Sequence, residues 1–344
     1  MPGSQLTGLR AHLTGPTLWE REISDKHPLV SICIPSFNHG EYVEASVRSA
    51  LAQTYERIEV LVSDDRSDDG SYERLRMFDD SRLHVERNPR RLGHAGNRNR
   101  VVARARGELI KFLDDDDLLD PECVSEMVEA FAEAPTVAMA FCRRRIAVEG
   151  QLDDVRRGWL NVNTDLQRGL VGVERLNDGR RLFEMLLDRD FRLNLIGEPS
   201  TVMVSASHLR RVGLFSTRVH QLMDLDLWAR LLPHGMAAFL SQERAVYRIG
   251  HGNATNRNNS SRRTWLDRLW LLENLSQDDE VLHCYPKVAQ LLRVERRQAW
   301  RAFVQFGKGA DHTRVPARLY VPYAKHRMHT LARRRCGSPQ IVEG

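Results

Sequence analysis

Four consecutive aspartates, Asp114 to Asp117, stand between the apolar run LIKFL and the pair Leu118-Leu119. Two carboxylates one residue apart at the end of a strand can hold a divalent cation and leave coordination positions open. Magnesium and manganese suit such oxygen donors. A cation of this kind can bridge a diphosphate and neutralise the charge that grows on it as a leaving group. It also accounts for so many acids in one place, because it supplies the positive charge that neighbouring carboxylates lack. Taken alone, the run reads as a solvated acidic loop. Two other strand ends weigh against that: one apolar run leads into Pro35-Ser36-Phe37-Asn38, and another ends at Asp64-Asp65.

Those ends need elements that bring them together. LVSICIP, from Leu29, is a short β-branched run stopped by proline, the pattern of a buried parallel strand. Gly40 introduces EYVEASVRSALAQ, in which Val43, Val47, Ala50 and Leu51 recur at helical spacing. IEVLVSDD is a second strand, LHVERN a third, and HAGNRNRVVARA a helix closed by Gly107. LIKFLDDDD is the fourth strand. Pro121 then sits in the first turn of the helix PECVSEMVEAFAEA, and VAMAFCRRR follows as the fifth. This alternation predicts an α/β fold with a doubly wound, mostly parallel sheet. In such sheets ligands bind beyond the carboxyl ends of the strands, where the three acidic or polar ends converge. The sequence has no Gly-rich phosphate loop of the Walker type and no GxGxxG after the first strand. The phosphates therefore fall to the metal and to arginine.

Composition narrows the class. The chain has 344 residues, 42% hydrophobic and 28% charged, the make-up of a globular protein of one large domain or two smaller ones. No apolar run approaches the ~20 residues of a membrane span. The amino terminus lacks the apolar core of a signal peptide, so a cytoplasmic location is expected. Five scattered cysteines without CxxC spacing point to reduced thiols, and away from a disulfide framework or a zinc site. The net charge of +5 is uneven: from His251 onward there are 17 Lys and Arg against 8 Asp and Glu. A basic tail can meet nucleic acid, an anionic membrane or an anionic substrate. Without aromatic interleaving or a nucleic-acid-binding fold, nucleic acid is not expected. The preference for arginine over lysine suits a GC-rich bacterial genome.

VSICIPSFNHGEYVEASVRSALAQTYERIEVLVSDDRSDDGS, followed by GNRNRVVARARGELIKFLDDDDLLDP, resembles the amino-terminal half of the family 2 glycosyltransferases with the GT-A fold. The resemblance is strong over residues 29–145. It continues more weakly to residue 255 through EPSTVMVSASHLRRVGLF, MDLDLWARLL and AVYRIGHGN, and the chain after residue 260 has no counterpart. It implies a GT-A domain, Rossmann-like with a mostly parallel sheet and flanking helices, plus a helical C-terminal extension. The expected parts are an N-terminal extension (1–28), a nucleotide-sugar-binding half (29–145), an acceptor-binding half (146–255) and a basic helical C-terminal region (256–344).

Carried over residue by residue, the resemblance implies that Pro35 and Phe37 line the nucleotide-base pocket. Asp65 accepts a hydrogen bond from uracil or thymine, and Asp64 is structural. Asp114 and Asp116 take the DxD positions, with Asp116 the direct metal ligand, Asp115 placed to meet the ribose, and Asp117 capping the following turn. Arg98 falls near the sugar-diphosphate. The family pattern Glu-Asp-x-Asp-Leu-Trp puts the general base on Asp224, with Met223 in place of the glutamate and with Asp226 and Trp228 structural. His251 follows Tyr-Arg one step later than the family's histidine and is expected to reach the metal or the diphosphate. His220, four residues before Asp224, is a candidate to assist proton transfer. Glu198-Pro199-Ser200 is expected near the sugar, with Glu198 equally readable as a turn residue.

The implied reaction is inverting transfer of one sugar from a UDP- or dTDP-sugar, assisted by Mn2+ or Mg2+. The acceptor is a hydroxyl or amine on a small molecule or a lipid-linked glycan, in natural-product or surface-glycan synthesis. Two alternatives stay open: a catalytically inactive scaffold that keeps the fold, and a sugar nucleotidyltransferase. The second would carry a Gly-rich basic loop after the first strand, which PSFNHGEY is not. Processive synthesis is disfavoured by the lack of membrane helices and of QxxRW. TWLDRLWLLENL and PKVAQLLRVERRQAWRAFVQF carry helical apolar periodicity suited to packing on the catalytic domain or on a second subunit of a homodimer. The basic LARRRC end suggests peripheral contact with the inner face of the membrane.

Overall fold

Strands form where β-branched and apolar residues run without interruption. β1 (Val30–Ser36) and β2 (Ile58–Asp64) are buried along all seven residues of each, as inner strands covered on both faces must be. The computed structural model describes residues 27–150, 157–158, 160, 164–249 and 264–307. With β3 (Leu83–Arg87) and β4 (Leu109–Phe112), these strands form a parallel set in the order β3-β2-β1-β4. Its crossovers carry α1 (Gly40–Leu51), α2 (Ser71–Leu75) and α3 (His94–Val102). The chain continues through β5 (Leu118–Leu119), α4 (Cys123–Glu133), β6 (Val137–Val148), β7 (Leu176–Asp178) and α5 (Gly179–Asp188). It then runs through β8 (Val202–Ser205), α6 (Ala206–Val212), α7 (Met223–Leu231) and β9 (Met236–Ile249).

Among the described residues the nine strands make one sheet, ordered β3-β2-β1-β4-β8-β6-β9-β5, with β7 paired to β9. The long registers are parallel, above all β6 with β9. The antiparallel pairings β4–β8, β5–β9, β6–β8 and β7–β9 are each two or three residue pairs long. Ser36 pairs with Asp64, and Cys33 pairs with Phe112. The register therefore delivers the Pro35–Asn38, Asp64-Asp65 and Asp114–Asp117 segments to one edge of the sheet.

Helical periodicity decides which side chains reach the core. α1 buries Val43, Val47 and Ala50, and α4 buries Val124, Met127 and Phe131. On the same core lie Ile32, Ile34, Val60 and Val62. A second apolar group is aromatic: Phe112 stands 5.3 Å from Phe215 and 5.8 Å from Trp228, centroid to centroid. Two helix boundaries differ from the sequence expectation. α4 starts at Cys123, two residues beyond Pro121, because the backbone N–H of Cys123 bonds back to the Asp120 carbonyl at 3.0 Å. Gly107 does not close α3, which ends at Val102. It instead lets the chain pass β1: a Cβ there would lie 2.6 Å from the Leu29 carbonyl oxygen. Cys33, Cys123 and Cys142 are buried free thiols and Cys284 an exposed one.

Contacts divide the chain into two units, Met1–Thr217 with Met223–Gly252, and Arg218–Leu222 with Asn253–Gly344. The first holds the sheet. The second contains α8 (Thr264–Leu275), α9 (Asp279–Cys284) and α10 (Pro286–Gly307). Leu269, Leu272, Val288 and Leu292 are buried there, and Arg268–Glu295 at 2.8 Å and Arg296–Glu273 at 2.5 Å join α8 to α10. Among the described residues no helix is long and apolar enough to cross a membrane. The N-terminal extension up to residue 26, and the LARRRC end, lie outside the described residues.

Candidate functional site

The chain leaving β1 turns sharply at Asn38, which adopts φ 55°, a left-handed conformation that asparagine tolerates better than most residues. This turn aims two groups at the aspartate run. The Phe37 backbone N–H donates to Asp115 Oδ2 at 3.0 Å, and His39 Nδ1 lies 2.8 Å from Asp115 Oδ1. Donor atoms of His39, Asp115 and Asp116 all lie within 4.8 Å of one another. Nitrogen plus carboxylate oxygens is a donor set that suits Mn2+, and the carboxylates suit Mg2+. A divalent cation fits these residues. His39 was not foreseen, since nothing in PSFNHGEY marks a ligand without the turn that folds it back.

Asp114 stands apart from that group. Its carboxylate forms an ion pair with the Arg98 guanidinium, which also meets His94 Nε2 at 3.1 Å. Burial pushes the Asp114 carboxyl up, and Arg98 opposes the shift. Arg98 is only 2% exposed, and among the described residues its Nε and Nη1 have no hydrogen-bond partner. Buried donors left unpaired cost about 1–3 kcal/mol each, more when charged, a cost that a bound anion would relieve.

Asp117 takes a different place from the expected cap. It is 1% exposed, and its Oδ2 accepts from Ser200 Oγ at 2.6 Å while its Oδ1 accepts from the Arg248 backbone N–H at 3.2 Å. Burial and Asp116 push its carboxyl well up. Asp120 caps the turn instead, accepting from the Glu122 N–H at 3.4 Å. Ser200 Oγ also accepts from the Asp114 N–H at 3.0 Å. Arg248 Nε bonds the Asp116 carbonyl, and its Nη2 bonds the Tyr42 carbonyl at 3.0 Å. The aspartate turn is thus clamped from the turn after β1, from β9 and from the Pro199–Thr201 turn.

At the end of β1, Pro35 lies opposite Ser63. The Arg91 guanidinium stacks on the Phe37 ring at 3.7 Å from its centroid. Asp65 is 2% exposed and accepts from the N–H groups of Leu92 at 2.7 Å and Gly93 at 2.8 Å and from Asn88 Nδ2 at 3.0 Å. It holds the segment that carries Arg91. Asp64, fully buried, bonds the Ser67 N–H and pairs with Arg87 at 3.3 Å.

Asp224 opens α7. Its Oδ1 accepts from the Leu225 N–H at 2.8 Å and its Oδ2 from Asn194 Nδ2 at 3.0 Å. Burial raises its carboxyl to about 7; the charge of Glu198 adds to the rise, and Arg98 opposes it. Glu198 is held by the buried Arg144 in a two-pronged pair at 2.7 and 2.9 Å. Trp228 Nε1 bonds the Gly197 carbonyl at 3.0 Å, and Asp226 pairs with Arg230 at 2.8 Å. Gly197 has φ +129°, and a Cβ there would lie 2.4 Å from Thr201 Oγ1. Arg98 and the 198–200 segment therefore link Asp224 to the aspartate run. Within the second unit, the N–H groups of Gln221 and Leu222, next to His220, bond Asp267 at 2.5 and 3.3 Å. His251 lies outside the described residues.

Residues 31–204 match the model of the glycosyl transferase family 2. An uncharacterized protein of Mycobacterium tuberculosis is 33% identical over 260 residues, 74% of this chain and 78% of that protein. An Escherichia coli protein named UDP-Glc:alpha-D-GlcNAc-diphosphoundecaprenol beta-1,3-glucosyltransferase is 43% identical over a shorter stretch of 90 residues, 26% of this chain and 36% of that protein. Among solved structures, residues 1–349 of S. aureus TarS in complex with UDP-GlcNAc superpose with a TM-score of 0.57 at 16% identity, covering 77% of this chain and 70% of that one. The likeness to TarS is one of fold, with the GT-A architecture.

Proposed function

The chain belongs to glycosyl transferase family 2, and from that premise we propose that it moves one sugar from a UDP- or dTDP-sugar to an acceptor hydroxyl, with inversion and with Asp224 as general base. Arg98 is the observation that carries this reading. A guanidinium that is 2% exposed, with two donors unpartnered among the described residues, lies against Asp114 and near enough to Asp224 to oppose its upward shift. An anionic diphosphate satisfies those donors, and its place beside Arg98 puts the sugar between diphosphate and base.

In the step itself Asp224 Oδ takes the acceptor proton as the acceptor oxygen bonds to the anomeric carbon. The bond from that carbon to the diphosphate oxygen breaks on the opposite face, and its electron pair leaves with the nucleoside diphosphate. Arg98 meets that growing charge with fixed donors, which need no reorganisation. His39, Asp115 and Asp116 would hold Mn2+ or Mg2+, which when bound neutralises further charge on the diphosphate. Pro35, Phe37 and Asp65 bound the base. The E. coli relative's name couples a UDP donor to a lipid diphosphate acceptor. A lipid-linked glycan of the same kind, used in a bacterial surface polysaccharide, is the acceptor we assign here.

Calorimetric titration of UDP and dTDP, with and without manganese, into wild type and Asp116→Ala tests the donor site. Binding that needs both metal and Asp116 is expected. Failure of both nucleotides to bind under every condition would return the chain to the scaffold reading.

A further inference from the structure

Asn194 has no assigned part in the reaction, yet it touches the proposed base. It lies beyond α5, after a reversal in which Asp190 and Phe191 adopt φ 53° and 54°. That strained pair is over-determined by packing: Phe191 is fully buried, stands 5.6 Å from Phe183, and its N–H bonds the Leu186 carbonyl at 2.9 Å. The segment that follows is therefore fixed before it reaches the site.

The Asn194 amide spends every polar atom it has. Its Oδ1 accepts from the N–H groups of Ile196 at 3.2 Å and Gly197 at 3.1 Å. Its Nδ2 donates to the Gly197 carbonyl at 2.8 Å and to Asp224 Oδ2 at 3.0 Å. Turning the amide over would set its oxygen against a carboxylate and its NH2 against two N–H groups, so only one orientation satisfies all four contacts. The donor facing Asp224 is locked in place by the other three bonds.

We infer that Asn194 is a positioning residue for the transfer reaction: its amide holds the Asp224 carboxylate in one orientation and favours its ionised form. This rests on the reading of Asp224 as the base. A hydrogen bond given to the charged form of an acid favours that form. It works against the burial of Asp224 and against the charge of Glu198, which Arg144 holds in place, and it acts alongside Arg98. The neighbouring acid Asp226 is neutralised by Arg230. The side chain is the means by which a half-buried carboxyl stays usable near neutral pH.

The test follows the Asp224 carboxyl by infrared titration of [13C]aspartate-labelled full-length protein, with Asp224→Asn subtracted to isolate its band. Asn194→Ala removes the donor. Asn194→Asp keeps the oxygen that serves Ile196 and Gly197 but sets a second carboxyl against the first. An upward shift of the midpoint by about one pH unit is expected for the alanine variant and more for the aspartate variant. Calorimetric UDP binding, which does not involve Asn194, should stay unchanged in both and reports that the fold is intact. A midpoint that does not move in either variant while UDP still binds would overturn the inference and leave Asn194 a loop residue. Release of UDP from UDP-glucose with water as acceptor separates the two readings. Asp224→Asn should abolish it, and if it does not, Asp224 is not the base and Asn194 loses its role with it.

Discussion

Burial raises the Asp224 carboxyl to about 7, with the Leu225 N–H and Arg98 opposing and the charge of Glu198 adding to the rise. Only the ionised form can take a proton, so with Asp224 as the proposed base, turnover, measured as nucleotide release from the donor, should rise with pH through about 7 and fall on the acid side. The stability consequence has the opposite sign. A carboxyl whose folded value lies above its unfolded one is stabilising while protonated, and that contribution is lost as pH rises from the ordinary aspartate range through 7. Asp224→Asn should therefore melt at a higher temperature than wild type at pH 8, with little difference at pH 4. Much of this residue-scale chemistry is legible in the sequence. The Asp114–Asp117 run is marked by type and spacing, and Asp224 and Arg98 are marked by the resemblance to the family 2 glycosyltransferases. Their division of labour is not: that Asp114 pairs with Arg98, that Asp117 turns inward to Ser200, and that His39 joins Asp115 and Asp116 all depend on side-chain direction, which a linear pattern does not carry.

At the scale of elements, the parallel strands were legible because unbroken β-branched runs suit only a doubly covered strand. β5 and β7, two and three residues long, were not, since such short pieces are made by their partners in β9 and not by their own pattern. The device that joins the two halves of the site is the Pro199–Thr201 turn. Fully buried Lys111 on β4 gives its Nζ protons to the carbonyls of Phe112 at 2.9 Å and Ser200 at 2.5 Å, pinning that turn from below. Ser200 Oγ then serves both Asp114 and Asp117 from above. Lys111→Met should leave two carbonyls unpaired and lower the unfolding free energy by about 3 kcal/mol, measurable as a shift in the urea midpoint with its slope unchanged. Ser200→Ala should leave the fold standing but loosen the aspartate turn. Manganese-dependent UDP binding is expected to weaken about tenfold, equivalent to about 1.4 kcal/mol, and unaltered binding would show that the turn holds without the hydroxyl.

At the scale of the molecule, charge and covalent order are separated. The sequence from His251 on carries the surplus of positive charge, while the acids of the candidate site lie before it. A basic region of this kind attracts an anionic surface at low ionic strength and loses it as salt screens the field. The full chain should co-sediment with vesicles rich in anionic lipid at low salt and be released at several hundred millimolar, whereas binding that ignores salt would argue for an apolar contact. Amphipathic periodicity marks α8 and α10 in the sequence, whereas the short α9 has no such pattern and the interlocking pairs Arg268–Glu295 and Arg296–Glu273 need both helices in place to be seen. The Gly197 carbonyl takes a bond from Asn194 and another from the indole of Trp228, a ring that also packs with Phe112 and Phe215. The emission of that indole is consequently a built-in optical gauge of the loop beside Asp224. In a variant whose other five tryptophans are phenylalanine, a change in its wavelength on adding an acceptor would register the loop's response without any label.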